Sequence, residues 1–374
     1  MSLAEPSSTG PFDDLFAEAE RQLAVCNSCR YCAGYCPVWP ALELRTDLTE
    51  ADLSHLSNLC HDCRDCFTAC MYTAPHEFDL NPPAIFTRVR EHTYEKYVWP
   101  RHVPPFLQGR RGLVLGFVLV SALLVVLSLA TTGGAVFGGP ALGSPYELIA
   151  HGIMVTVVIV PSVWTVGVMA FGLARYWRDT HGRFRDLLDA KAWLRTLGQA
   201  ATLRHQTGAD ERCAYEENEP SGSRRRAHQA VMYGFLLTFV STTSAAIMEN
   251  LLGLHPPYPY LSVPVVTGTV GGVLATVGCA LLIRLKKRAD TTQTTPTMRS
   301  ADHGLLWALL VIMVSGLAVL FTRTTVAFGP LLVIHLAAVI VAFAVAPYTK
   351  FFHWTYRVLA IYKDNIDRPR AAAP

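Results

Sequence analysis

The sequence predicts a mainly α-helical protein with a small cysteine-rich head and a six-helix transmembrane bundle. Of its 374 residues, 51% are hydrophobic and only 16% are charged, whereas soluble domains carry about 25% charged residues. Eight of the ten cysteines lie between Cys26 and Cys70. Residues 1–96 carry 15 acidic and 7 basic side chains, and the remainder carries 14 and 25. An acidic head therefore precedes a basic, apolar body, and an ordinary soluble protein is excluded.

The N-terminal residues lack the features of a secretory signal. Such a signal combines a basic start with an apolar segment. Residues 1–25 instead contain five acidic residues, and the first long apolar run begins near Leu113. We therefore expect the head, residues 1–98, to stay in the cytoplasm. Thiols are kept reduced there, so the clustered cysteines are expected to bind metal rather than to form disulfides.

The clustered cysteines form two quartets with one spacing, Cys-x2-Cys-x2-Cys-x3-Cys. The first is followed by Pro37, as in the run that binds [4Fe–4S] clusters in bacterial ferredoxins. In two-cluster ferredoxins the fourth cysteine of a run ligates the other cluster. We therefore assign Cys26, Cys29, Cys32 and Cys70 to one cluster, and Cys60, Cys63, Cys66 and Cys36 to the other. Structural zinc is the alternative, but zinc usually takes two separated pairs of ligands, so the spacing favours iron–sulfur clusters in a ferredoxin-like head.

Two interleaved clusters predict a path for single electrons. The chain has no Gly-x-Gly-x-x-Gly fingerprint for a flavin or a nicotinamide. The head therefore lacks a visible cofactor for two-electron chemistry on a substrate, and we expect it to exchange electrons with a separate flavoprotein.

The body, residues 99–374, contains six uncharged runs long enough to cross a hydrocarbon core as helices, which takes about 17–25 residues. The predicted helices cover about 113–132, 148–174, 229–248, 261–283, 304–322 and 326–353. Basic residues cluster at alternate ends of these runs, as the positive-inside rule requires if both termini are cytoplasmic. We therefore expect a multi-pass protein of the cytoplasmic membrane. The cytoplasmic loop 176–228 includes an amphipathic stretch, 182–205, that is expected to lie on the membrane or to dock the head.

Histidines inside the predicted membrane helices are candidate functional residues, because ionisable groups are costly there. His335 and His353 are 18 residues apart, which is five helical turns and roughly 27 Å on one helix, and Pro347 lies between them. This spacing suits two haems stacked across the bilayer. We expect His151 and His335 to hold the outer haem, and His353 and His228 to hold the inner one.

Ligation by two histidines gives a b-type centre suited to electron transfer, and the absence of Cys-x-x-Cys-His excludes covalent c-type attachment. The alternative is that these histidines are interfacial or hydrogen-bonded core residues. His303 is the less favoured partner for His353 and is mostly assigned to that alternative. Glu249 and Arg323 are weaker candidates for a quinone site.

The order of these parts resembles the tricarballylate-utilisation protein B (CitB-type) family, and so do several local strings. These strings are CNSCRYCAGYCP at 26–37, NLCHDCRDCFTAC at 58–70, APHEFDLNPP at 74–83, YGFLL at 233–237 and PYTKFFH at 347–353. The body is also similar to the dihaem cytochrome b subunit of respiratory nitrate reductase. That similarity implies ligands at His335 and His353. The nitrate-reductase subunit takes its other two ligands from one helix, whereas His151 and His228 lie on different predicted helices.

The resemblance implies a membrane electron-transfer subunit for an FAD-dependent tricarballylate dehydrogenase. It would re-oxidise the dehydrogenase flavin through two [4Fe–4S] clusters and b-haem and reduce the membrane quinone. This chain is then a redox relay in an oxidoreductase complex rather than a stand-alone enzyme, with the lipid bilayer and no nucleic acid among its partners. The alternatives are a redox-sensing or assembly protein, and an electron carrier for a corrin-pathway flavoprotein.

Overall fold

The head is a cluster of five short helices. The computed structural model describes residues 13–101, 109–137, 144–206, 213–216 and 219–371. The head helices are α1 Asp13–Cys29, α2 Val38–Glu43, α3 Glu50–Leu59, α4 Asp65–Thr68 and α5 Pro82–Tyr97. Side chains such as Leu23, Leu56 and Phe86 form their common core. The cysteine segments lie at the edge of this core, between and beside the short helices.

Six long helices form the body. They are α6 Gly109–Thr132, α7 His151–Asp179, α9 Ser223–Asn250, α10 Val263–Arg288, α11 Pro296–Phe321 and α12 Phe328–Val345. All six are long and apolar enough to span a membrane. Large apolar side chains such as Val118, Val163 and Val166 are more than half exposed on their outer faces, which lipid tails would cover. The predicted fold class, a mainly helical head before a six-helix membrane bundle, is confirmed.

The sixth predicted helix, 326–353, is wrong in one respect, because it is broken near Pro347. Helix α12 ends at Val345, two 3-10 turns follow, and α13 begins at His353 and runs to Ala371. Pro347 supplies no backbone N–H, and Thr349 is extended with φ −119° and ψ 172°. His335 and His353 therefore lie on different helices, and their single-helix spacing does not apply.

Helix α13 joins the C-terminal segment to the head. Ala360 and Ile361 on α13 belong to the hydrophobic core of the head, and Arg368 donates to the carbonyl oxygen of Pro37. The head is therefore not confined to residues 1–98 as expected, because the last helix supplies part of its hydrophobic core. The head and the C-terminus lie at the same end of the body.

The connection between α7 and α9 contains α8 Ala190–Thr202 and two short antiparallel strands, β1 Cys213–Glu216 and β2 Glu219–Ser221. Residues 207–212, 217 and 218 lie outside the described residues. The Trp193 ring stacks on Tyr362 of α13 at 4.3 Å. Helix α8 therefore docks on the segment that completes the head.

Helices α9 and α10 pack through glycines. A side chain at Gly271 would place its Cβ 2.7 Å from the Gly234 carbonyl oxygen, and a side chain at Gly278 would meet the Val231 backbone at the same distance. Such small residues let membrane helices approach closely, which compensates for the weak hydrophobic drive between helices in lipid.

We predict that Gly271→Val separates these helices and lowers the melting temperature of the detergent-purified protein. Overpacking of this kind costs about 1–3 kcal/mol. Gly167→Val on α7 is the matched control, since no atom lies within 4 Å of its added Cβ. Equal loss of thermal stability in both variants would contradict the close α9–α10 contact.

Candidate functional site

The first cysteine segment, residues 26–36, lines a small open cavity in the head. This cavity, about 40 Å³, is bordered by Cys26, Cys29, Cys32, Cys66 and Cys70. Burial raises the pKa of the Cys26 thiol to about 12, and the next influence is the nearby Cys70. The fourth cysteine of the second run therefore lies with the first three of the first run.

The second cysteine segment, residues 60–70, shows the reciprocal arrangement, in which Cys36 of the first segment lies near Cys60 and Cys66. Burial raises the pKa of Cys36 to about 12, and Cys60 is the next influence. The pKa of Cys66 is raised well above its usual value by burial and then by Cys63 and Cys36. Protonated thiols are poor ligands, and bound metal would remove these protons. These neighbours agree with the interleaved ligand sets, which remain a prediction.

Within the described ranges, no group of three or more His, Cys, Asp or Glu side chains converges on the position of one ion. A [4Fe–4S] cube binds four thiolates at four separate irons. The ferredoxin-type spacing of the eight cysteines is the feature that fits two such cubes.

The two cysteine segments share an unusual backbone turn. Arg30 and Arg64 each follow the second cysteine of their run, and their φ angles are +55° and +69°, in a region that non-glycine residues seldom adopt. Asp62, between Cys60 and Cys63, also has a positive φ of 56°. Its backbone N–H donates to Cys60 Sγ at 3.4 Å. These turns change the chain direction between successive cysteines.

The two segments differ in their surroundings. The first is open to solvent, because Cys29 is exposed and Tyr31 is 59% exposed. Met71, which follows Cys70 at the same cavity, is 64% exposed. In the second, Cys63 packs against Ala289 and the buried Arg64 donates to the Asp290 carbonyl oxygen at 2.9 Å. A soluble partner can reach Cys29, whereas Cys63 and Arg64 are covered by the body.

Arginines connect the second segment to the body. Arg357 on α13 donates to the Cys60 carbonyl oxygen at 2.9 Å, as does Arg90 on α5. Arg224 at the start of α9 donates to the Asp62 carbonyl oxygen. Sequence analysis did not identify these three residues. For two of them a signal was present in the spacing, since Arg224 lies one turn before His228 and Arg357 one turn after His353; Arg90 has no comparable signal.

The structure brings His228 and His353 together directly beside this contact. Their ring centres are 6.2 Å apart and their planes are inclined at 84°. Nδ1 of His353 lies 2.7 Å from the Lys350 carbonyl oxygen, which leaves Nε2 available. Nδ1 of His228 is buried and has no hydrogen-bond partner among the described residues. We call His228 and His353 the inner pair.

If a haem is bound here, His228 and His353 would be the residues that hold it, because two imidazoles that share one metal have ring centres about 6 Å apart when each metal–nitrogen bond is about 2 Å long. Burial, followed by the charge of Arg357, lowers the pKa of His353 to about 3. The ring is therefore neutral at physiological pH, which is the ligating form.

An ion-pair network supports the inner pair. Asp302 on α11 accepts from Lys286 on α10 at 2.8 Å, and Lys350 Nζ lies 2.5 Å from its other oxygen. The carbonyl oxygen of the same Lys350 holds His353 Nδ1. Helices α10 and α11 and the turn at Lys350 are thereby held together beside the ring of His353.

The two outer histidines lie in separate surroundings. His335 Nδ1 is 3.1 Å from Ser315 Oγ, and its ring packs over Gly316. His151 Nε2 is 3.6 Å from Glu249 Oε1, and Glu249 also accepts from Tyr146. No ring contact joins His151 to His335 in the described part of the chain. Their shared role as outer haem ligands therefore remains a prediction.

Comparison with known proteins identifies the family. A family model described as citrate utilization protein B matches residues 107–374, and one described as its Fer4-like domain matches residues 19–96. The chain belongs to the citrate utilization protein B family. Citrate utilization protein B of Escherichia coli is 33% identical over 359 residues, covering 95% of this chain and 93% of that relative. No solved structure matches the chain.

Membership of the citrate utilization protein B family confirms the CitB-type resemblance seen in the cysteine runs and in the histidine-bearing body. The Fer4-like match coincides with the head that carries both quartets. It supports iron–sulfur clusters in this family member, and thus a role in electron transfer.

We predict that Cys29→Ala removes one cluster and leaves the other. Non-haem iron should fall from about eight to about four atoms per chain, because each cube contains four irons. Cys279→Ala is the matched control, since this cysteine is buried in an apolar cluster on α10. Iron and acid-labile sulfide would be quantified on the purified proteins, and unchanged iron in Cys29→Ala would contradict its assignment as a ligand.

Proposed function

We propose that this chain is a membrane electron-transfer subunit. It re-oxidises the reduced flavin of a partner FAD-dependent dehydrogenase through two [4Fe–4S] clusters and b-haem, and it delivers the electrons to the quinone pool. The observation that carries the proposal is that two arginines link the second cysteine segment to the helices that bear the inner pair. Arg224 and Arg357 each touch that segment and each lie one helical turn from one of the two histidines.

The exposed first segment is the proposed point at which electrons enter, and the second segment lies between it and the body. Cys29, Tyr31 and Met71 form the surface that a soluble flavoprotein can approach, and electron-transfer partners commonly meet through small, transient contacts. The second segment lies against the body, on the way to His228 and His353. A redox sensor has no evident need for this ordered series of donor groups.

Both quartets and the inner pair supply suitable ligands. Cys26, Cys29, Cys32 and Cys70 would hold the first cluster, and Cys60, Cys63, Cys66 and Cys36 would hold the second. A haem held by His228 and His353 would accept and release single electrons without an open site for oxygen. The carbonyl oxygen of Lys350 orients His353 by accepting a hydrogen bond from its Nδ1–H, as outer-shell partners of metal ligands usually do.

We further propose that the head faces the cytoplasm. The basic loops then lie on the cytoplasmic side, as the positive-inside rule requires. His151 and His335 remain the candidate ligands of a second haem at the opposite end. The relative's name refers to citrate utilization, and the resemblance implies tricarballylate, so the partner's substrate is proposed to be a tricarboxylate.

We predict that His353→Ala removes the inner haem. The dithionite-reduced minus oxidised spectrum of the purified protein should lose low-spin b-haem intensity, because one of two axial ligands is gone. His303→Ala is the control, since this neighbouring membrane-end histidine is not a member of the pair. His335→Ala tests the outer site in the same assay.

Haem and iron would be quantified on each sample. Full iron content without any haem signal in the unaltered protein would overturn the transmembrane part of the proposal. Loss of haem in His303→Ala, with His353→Ala unchanged, would overturn the choice of ligands.

A further inference from the structure

We propose that the arginines around the second cysteine segment make its cluster the more readily reduced of the two. A single electron then passes preferentially from the exposed first cluster to the covered second one. This inference rests on the proposed function, because it requires that both quartets hold clusters. It goes beyond that function by assigning the order of the two reduction potentials and the residues that set it.

Four guanidinium groups surround the second segment. Arg64 and Arg90 are 1% and 5% exposed. Arg90 and Arg357 both donate to the Cys60 carbonyl oxygen, and Arg224 donates to that of Asp62. Among the described residues, the Asp62 carboxylate lies within 4 Å of two of these groups, Arg64 at 3.5 Å and Arg224 at 3.8 Å. The local charge of this group of side chains is therefore positive.

Two of these guanidinium groups lie next to a proposed cluster ligand. Arg90 and Arg357 each place a donor nitrogen 2.9 Å from the Cys60 carbonyl oxygen. Arginine stays protonated in proteins, so two full positive charges lie beside this cysteine.

The first segment has a different electrostatic setting. Arg30 occupies the position equivalent to Arg64, but it is exposed and its Nε donates to Asn27 within the same segment. Water screens the exposed guanidinium of Arg30, so it adds less positive potential at the first segment than the buried arginines add at the second.

Reduction of a cluster adds one negative charge, which is why charge, hydrogen bonds and exposure set its potential. A buried cation stabilises that added charge more than an exposed one, because the dielectric screening is weaker. In the proposed step the first cluster loses one electron and the second gains it. No bond is made or broken and no proton moves, while the reduced flavin of the partner refills the first cluster.

The test is a redox titration of the full-length, detergent-purified protein, followed by electron paramagnetic resonance. Cys29→Ala, which should retain only the second cluster, assigns the signals. We expect Arg357→Gln to lower the potential of the second cluster. At a fixed potential its reduced-to-oxidised ratio should fall at least tenfold, which corresponds to 59 mV for a one-electron couple. Arg30→Gln is the matched control and should leave the second cluster unchanged.

Two further variants separate charge from structural damage. Arg357→Lys keeps the positive charge and should restore most of the potential. Asp62→Asn removes the negative charge from the same group and should raise the potential of the second cluster. A general loss of structure would not shift the potential of the second cluster in opposite directions in Arg357→Gln and Asp62→Asn.

The outcomes distinguish this inference from the function on which it rests. A protein with about eight irons whose first cluster is the more readily reduced would overturn the inference alone. So would an Arg357→Gln variant that shifts neither cluster or both equally. A purified protein without iron–sulfur clusters would overturn the proposed function instead.

Discussion

The contact between the second cysteine segment and the membrane domain determines how the rest of this protein is arranged. Guanidinium groups from α5, α9 and α13 donate to two carbonyl oxygens of one short loop. Buried charges are costly unless they are paired or hydrogen-bonded, so this loop has few other positions available to it. The same arginines bring the loop beside His228 and His353. The position of the head, and of any electron path out of it, follows from this one contact.

Helix α13 depends on the break that precedes it. If the helix were continuous through Pro347, His353 would lie on the extension of α12. The break instead changes the direction of the chain, so that α13 packs on the head and Ala360 and Ile361 enter its apolar core. His353 is then the first residue of the new helix, and its Nδ1 is held by Lys350 in the turn before it. The packing of the head and the position of a candidate ligand are thus two consequences of one turn.

The two halves of the molecule are stabilised in different ways. The head buries leucines and aromatic rings away from water, and it ends its helices with polar caps, such as Thr49 and Asp52 at the start of α3. The body has little to gain from apolar contact in lipid, and it relies on close glycine packing between α9 and α10 and on ion pairs at the head-facing end. The candidate redox groups lie where these two environments meet.

The sequence by itself determined the local features of this protein. Cysteine spacing defined both quartets, because ligands of one cube must come from one tight loop plus a distant residue. Hydropathy located the six spanning helices, because the hydrocarbon core requires a fixed length of apolar chain. Helix ends were less accurate, since polar turns extend α9 and α11 beyond their apolar parts.

Only the tertiary structure decided which distant residues meet. His353 and His228 were expected to meet, and they do, although they are 125 positions apart in the chain. His335 was expected on the same helix as His353, but the fold places them on different helices. Nothing in the sequence indicated that Arg90, Arg224 and Arg357 meet at one cysteine loop. Spacing along a chain reports neighbours within one helix, whereas contacts between helices depend on packing that no local pattern encodes.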